Sequence, residues 1–389
     1  MPSKRPMPLT AVLFLAALAM SALASCASLA PASRPEDQGA ASPPSIRLLD
    51  TDADFAALGI DRHKVDPRED GRRSPANEQH YEWWYFDGLL DDGSIVVAWF
   101  GDNWPFGLGA RAVSLEITPP GGTTLRWFGA FREKGRFGTK EADVRIGPHS
   151  FTGDLIDYRI FVDPEATGGL GVDLRLHSTV GAWRPASGVI ADGEATFAWL
   201  AAVPEGEVTG TLTMDGSARK VRGRGYHDHN WGNISPAVLM DSWWWGRATV
   251  DGHTVIASEL RAAKDRGGGK APLLFVGSSA GVEREAWSES EVMVVEGSSS
   301  AHPDPLHPKS IATSVTYSTA DGFVATFPIS ERMITSTDLL AGQSSLIVGF
   351  ARAFGLKPWY TRFLSPVSLR LPGKEPKTAA GTLEYFEFR

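Results

Sequence analysis

Residues 223 to 232 read GRGYHDHNWG, which crowds a tyrosine, two histidines, an aspartate, an asparagine and a tryptophan between glycines. These residue types can move protons. A carboxyl set against indole in a dry pocket is pushed upward and keeps its proton, which makes Asp228 a candidate acid and Glu82, in HYEWWYFDG, a second one. His227 or His229 can activate water near neutral pH, and Tyr226 stands beside them as a further catalytic candidate. Tryptophan faces attract a cation by ~0.5–2 kcal/mol each. Trp231, Trp243 and Trp245 offer such faces, and with Trp84, Asn230 and Arg247 they form the candidate ligand-binding set. Adding water across an isolated C=C bond needs a proton donor, a wall that stabilises the carbocation, and a base for the water. The same pocket could equally bind a ligand and leave it unchanged.

Other arrangements fit the same residues. The HDHN cluster can be a hydrogen-bonded plug joining two halves of the molecule, with Asp228 holding backbone N–H groups. His227-x-His229 is half of a metal site, but neither a cysteine nor a well-spaced third histidine accompanies it, so no metal and no other cofactor is expected. Glu82 can pair with Arg247 or Arg224, and the tryptophans are core residues by default. No G-x-S-x-G elbow or phosphate loop occurs, which counts against serine hydrolases and nucleotide enzymes.

The elements that must position these residues are strands. SIVVAWF (94–100), RAVSLEIT (111–118), TLRWFGAF (124–131), YRIFV (158–162), VDLRLHS (172–178) and HTVIASEL (253–260) are β-branched and aromatic with rough alternation. Turn signals at 91–93, 119–122, 192–193, 251–252 and 277–279 come at the close spacing of meandering antiparallel strands. Only SSLIVGFARAFG (344–355) has helical spacing, which predicts one short helix near the C-terminus. A sandwich or barrel follows.

WWYFDGLLDDGSIVVAWF from Trp83 and WWWGRATVDGHTVIASEL from Trp243 repeat one another: an aromatic triplet, a strand, an Asp-Gly turn and an apolar strand. Trp84 lies 160 residues before Trp244, and Gly93 lies 159 before Gly252. Two related β units are implied. The expected organisation is a signal segment at 1–25, a flexible tether and N-terminal extension at 26–75, a first β domain at 76–215, and a second at 216–389 that carries GYHDHNWG. On a strand, side chains alternate, so His227, His229 and Trp231 share one face while Tyr226, Asp228 and Asn230 share the other. The expectation is that the groups at 227–229 look into an apolar chamber walled by indoles.

EWWYFDG (82–88), GRGYHDHNWG (223–232) and WWWGRATVDGHTVI (243–256) resemble the paired lipocalin-like proteins that include bacterial carotenoid 1,2-hydratase (hydroxyneurosporene synthase) and the AttH-type secreted proteins. The resemblance covers residues 75 to 389. It implies an all-β chain with two tandem lipocalin-like antiparallel β-barrel domains and a pocket for a hydrophobic polyene, terpenoid or lipid between or within them. It does not settle activity, since one fold hosts binders and enzymes alike; the enzyme it implies, if the chain is one, is a hydro-lyase or isomerase of a hydrophobic alkene. The alternative is a non-catalytic lipid-binding accessory lipoprotein of a cell-envelope transporter, or a structural envelope protein with a filled core.

The N-terminal end carries an address. Lys4 and Arg5 precede the short apolar run AVLFLAALAMSALA, and Leu23-Ala24-Ser25-Cys26 follows, the order of a bacterial lipoprotein signal with Cys26 as the lipidated residue. An ordinary cleaved signal with an incidental cysteine is the alternative. Residue 27 is alanine, so an outer-membrane anchor facing the periplasm is expected. Cys26 is the only cysteine, so after its modification disulfides and cysteine nucleophiles are excluded. The formal charge of −8 becomes more negative when Lys4 and Arg5 leave, which argues against nucleic acid as a partner.

Overall fold

The computed structural model describes residues 46–74, 80–104, 109–132, 135–341, 345–353 and 355–389. Cys26 and the expected signal and tether up to residue 45 lie outside them. Among the described residues, no helix is long and apolar enough to cross a membrane.

Two large antiparallel sheets hold the chain. The first has thirteen strands, and its path runs from 125–131 through 110–118, 95–104, 81–90, 217–232, 195–214 and 171–180 to 136–137. The second has ten and runs from 281–286 through 270–278, 253–262, 240–250, 377–387 and 359–370 to 293–296. The repeat seen in the sequence is the reason for this likeness. In each sheet an opening meander is closed by the unit's last strand pairing with its first: Ser217–Gly232 on Tyr81–Leu90, and Lys377–Glu387 on Met240–Val250. The six strand runs read from the sequence are strands, and the helix spans Ser345–Ala353.

One expectation is corrected. The GYHDHNWG strand closes the first sheet and does not open a second domain, so the division between the sheets falls after Gly232 rather than at 215/216. The physical reason is the hairpin: Asp215-Gly216 turns Ala195–Met214 directly onto Ser217–Gly232, and a tight turn ties two strands into one sheet. Residues 46–74 are folded against the first unit. Their helix Asp52–Leu58 is capped by Thr51, it buries Phe55, and the following turn buries Glu69 and Asp70.

Side-chain alternation divides the aromatics among three cores. Trp84 and Phe86 point into the first sheet's own core, beside Phe100, Phe151 and Leu174. Trp244 and Ala248 point into the second sheet's core with Phe327, Phe363 and Leu383. Trp83, Tyr85, Trp243 and Trp245 point the other way, into a third core where the two sheets face each other. Two glycines that bracket the motif have no room for a side chain. A Cβ at Gly223 would stand 2.4 Å from the Leu89 carbonyl oxygen, and one at Gly232 would stand 2.6 Å from that of Thr196.

Candidate functional site

A cavity of about 140 Å³ lies between the sheets. Trp83, Tyr85, Trp199 and Tyr226 wall it from the first sheet, and Trp243 and Trp245 from the second. Two carboxyl groups, Asp228 and Glu384, and the amide of Asn230 complete its chemistry. Among the described residues that line it there is no lysine or arginine.

Three donors fix the Asp228 carboxyl. The Tyr226 hydroxyl donates to Oδ2 at 2.9 Å, Trp199 Nε1 to the same oxygen at 3.2 Å, and Asn230 Nδ2 to Oδ1 at 2.8 Å. Burial pushes Asp228 up to about 7; the Tyr226 hydrogen bond and the His227 field oppose the rise, while Glu384 adds to it. Burial also raises Glu384, but the Arg362 guanidinium, its Nε 3.2 Å from Oε1, opposes that rise. Among the described residues Asp228 makes no ion pair, whereas Glu384 has the Arg362 guanidinium in contact. Both carboxyls are thus shifted toward their protonated forms, and only Glu384 has a guanidinium in contact that opposes the shift.

Beyond the Tyr85 and Tyr226 wall, a buried ionic lattice ties sheet to sheet. Arg362 donates to Tyr85 Oη at 2.9 Å and to Asp87 Oδ2 at 2.5 Å. Arg247 donates to Asp87 Oδ1 at 2.6 Å and to Glu205 Oε2 at 3.0 Å, and its guanidinium lies 5.1 Å from the Tyr226 ring centroid. Burial raises Asp87, but Arg247 and Arg362 outweigh it and hold that carboxyl below its usual range. Arg247 is thus part of the support of Tyr226. It does not line the cavity, contrary to its expected place among the ligand contacts.

His227, His229 and Glu82 do not reach the cavity either. The alternation that sends Asp228 into it sends both imidazoles into the closed core of the first sheet. There His227 Nε2 meets Asp70 Oδ2 at 3.1 Å and Nδ1 meets the Tyr85 carbonyl at 2.8 Å. Tyr158 donates to the same Asp70 oxygen at 2.5 Å. His229 Nε2 meets Glu82 Oε2 at 3.0 Å and Nδ1 meets the Glu69 carbonyl at 3.2 Å. Every one of these ring nitrogens faces an oxygen acceptor, so no imidazole lone pair is aimed at a ligand. For His227, burial lowers the pKa, but Asp70 outweighs it and the net shift is upward. Glu82 accepts from the Arg73 and Ser74 backbone amides and pairs with neither Arg247 nor Arg224. Trp84 stacks on His229 at 4.5 Å, and Trp231 packs beside the same ring at 4.9 Å. Both belong to the first core.

Of the candidates read from the sequence, the cavity brings together Asp228, Tyr226, Asn230, Trp243 and Trp245. Sequence reasoning missed Glu384, Trp83, Tyr85 and Trp199. The signal for three of them was present. Trp83 and Tyr85 are the opposite face of EWWYFDG, and Glu384 sits in the closing strand TLEYFEF, the repeat counterpart of the HDHN strand. Among the described residues, no group of three or more His, Asp, Glu or Cys is placed to hold a metal ion.

No family model matches the chain. It is 27% identical over 218 residues to the hydroxyneurosporene dehydrogenase of Chlorobaculum tepidum, a match that covers 43% of this chain and 53% of that protein. The chain spans about half the length of the curated relatives it matches. In structure it is similar to an AttH-type protein from Nitrosomonas europaea, with a TM-score of 0.56 and 13% identity over 84% of this chain and 97% of that one. It is also similar to kievitone hydratase from Nectria haematococca, with a TM-score of 0.54 and 11% identity over 84% of this chain and 93% of that one. The chain therefore has the all-β, lipocalin-like two-sheet fold of these AttH-type and hydratase structures, and it resembles hydroxyneurosporene dehydrogenase in part of its sequence.

Proposed function

We propose that the protein takes the unsaturated end of a hydrophobic polyene or terpenoid into the cavity between the sheets and adds water across, or shifts, its C=C bond by acid catalysis. The observation that carries this reading is Asp228: a carboxyl pushed up to about 7, oriented by three donors, on the wall of an aromatic cavity. A neutral carboxylic acid near working pH is a competent proton donor to an alkene carbon. The carbocation that results stands among indole and phenol faces, which stabilise positive charge. Water adds to the cation, and the carboxylate that Asp228 becomes on giving up its proton takes the proton that the water loses, which restores the acid. Loss of a neighbouring C–H proton instead gives the isomer. One structural neighbour, kievitone hydratase, is by name an enzyme of this reaction type.

The cavity's size and lining select the substrate. At about 140 Å³ it is below the ~300 Å³ at which pockets for whole drug-sized ligands begin, so it takes the end of a longer molecule. With no basic side chain among its described lining residues, it offers nothing to a carboxylate or phosphate.

The test is incubation of purified protein with a panel of acyclic terpenoids in ¹⁸O-water, followed by mass spectrometry. A product heavier by one labelled water is expected, with Asp228→Asn slower by ~10²–10⁴. Terpenoids that bind tightly and come back unchanged from the wild-type protein would overturn the catalytic reading and leave a carrier.

A further inference from the structure

The cavity has a second property that does not depend on turnover. The repeat places its walls in matched pairs: Trp83 and Trp243 are 160 residues apart, and so are Tyr85 and Trp245. Asp228 pairs with Tyr85 on its neighbouring strand, and Glu384 pairs with Trp245. Two carboxyls in equivalent positions thus face one space from opposite sheets, with aromatic rings between them. Tyr226 and Trp245 are 5.1 Å apart between ring centroids, and Tyr85 meets Tyr226 edge-on at 6.5 Å.

Such a constellation is the recognition chemistry of an organic ammonium ion: quadrupolar ring faces for the apolar, diffuse positive head, and carboxylate for its charge. A site that only held a hydrocarbon, without turnover, would have no use for two buried carboxyls, whose burial costs free energy unless a partner compensates it. Arg362 compensates Glu384 from behind, at 3.2 Å, while Asp228 has hydrogen-bond donors but no cation in contact. We infer that the cavity between the sheets is a binding site for a small quaternary or tertiary ammonium group, with Asp228 as the counter-ion and Trp83, Tyr85, Trp243 and Trp245 as the surrounding box.

The inference carries a pH signature. A cation draws Asp228 toward its ionised form, so binding strengthens as pH rises and releases a proton where Asp228 is still protonated. The groups that face Asp228 are Tyr226 and Asn230 on its own strand, Trp199 and Tyr85 from neighbouring strands, and Glu384 with Arg362 behind it from the second sheet; His227 lies across the strand. Burial raises the tyrosines Tyr85 and Tyr226 well above their ordinary range, and Arg362 is raised as well, so over neutral pH the change falls on the carboxyls and on His227, whose charge acts on Asp228 through its field.

The probes are choline and its neutral isostere 3,3-dimethylbutan-1-ol, titrated by tryptophan fluorescence and calorimetry. Choline is expected to bind at least ~10-fold more tightly than the alcohol at pH 8. That preference should shrink between pH 8 and pH 5, and calorimetry in buffers of different ionisation enthalpy should report proton release. Asp228→Asn should erase the pH dependence and most of the preference, and Trp245→Leu should weaken choline more than the alcohol. Equal affinities for the two probes, no binding of choline at millimolar concentration, or a preference that survives unchanged in both Asp228→Asn and Trp245→Leu would each overturn the inference. Terpenoid hydration by a protein without choline preference would remove the ammonium site and leave the catalytic reading standing. The reverse pattern would separate them the other way.

Discussion

Asp228 and Glu384 hold equivalent positions in two different sheets and face the same cavity: Asp228 pairs with Tyr85, Glu384 pairs with Trp245, and Tyr85 and Trp245 are 160 residues apart, the offset of the internal repeat. An internal repeat therefore builds a two-carboxyl site from what is, in each half, a single acidic residue on a closing strand. The halves have diverged on the opposite face of those strands. Where His229 stacks on Trp84 at 4.5 Å in the first sheet, Tyr385 stacks on Trp244 at 4.2 Å in the second.

Asp228 makes stability depend on pH. Its folded pKa of about 7 lies above its ordinary 3.8, so the folded chain keeps a proton that the unfolded chain gives up. The contribution is present below about 4 and is lost as pH rises through about 7. Urea denaturation at pH 5 and pH 8 should show Asp228→Asn gaining ~1–3 kcal/mol relative to wild type at the higher pH. A difference that is the same at both values would show that burial does not raise this carboxyl.

Under the proposed acid catalysis, His227 acts on Asp228 through its field and not as a base. Its positive field opposes the rise of Asp228, so His227→Gln should move the alkaline limb of the activity profile to higher pH. Activity that vanishes in a folded His227→Gln protein, with no shift of the limb, would mean that the imidazole itself reaches the substrate.

Asp87 is the hub between the sheets, accepting from Arg247 at 2.6 Å and from Arg362 at 2.5 Å. Asp87→Asn removes the carboxylate that Arg247 and Arg362 share, and Arg362→Met removes the guanidinium in contact with both Asp87 and Glu384; each should cost ~3–5 kcal/mol in denaturant titrations. The double variant should cost less than the two single losses combined, because it removes both members of one ion pair.

The paired tryptophans separate packing from binding. Trp84→Ala opens a void in the first core and should lose ~3–5 kcal/mol. Trp243→Ala, at the half-buried cavity wall, should lose less stability and weaken ligand affinity more than Trp84→Ala does. Equal effects of the two on binding would argue against the cavity as the site.

The lipid anchor expected at Cys26 is tested by cell fractionation. Cys26→Ala is expected to move the protein from the membrane fraction to the soluble envelope fraction and to abolish labelling by fatty acid.

The sequence by itself determined the strands, the C-terminal helix and the repeat, because period-2 alternation and Asp-Gly turns are local signals that each segment carries alone. It also determined that Asp228 and His227 leave their strand on opposite sides. It could not say which side was which. That depends on which sheet the HDHN strand closes, and the hairpin at Asp215-Gly216 fixes it to the first, where the histidines meet Asp70 and Glu82. Only the packing of sheet against sheet decided that the outward faces enclose a cavity. Trp199, Trp245 and Glu384 come from three distant strands, and long-range contact between faces that are each unremarkable alone leaves no local pattern to read.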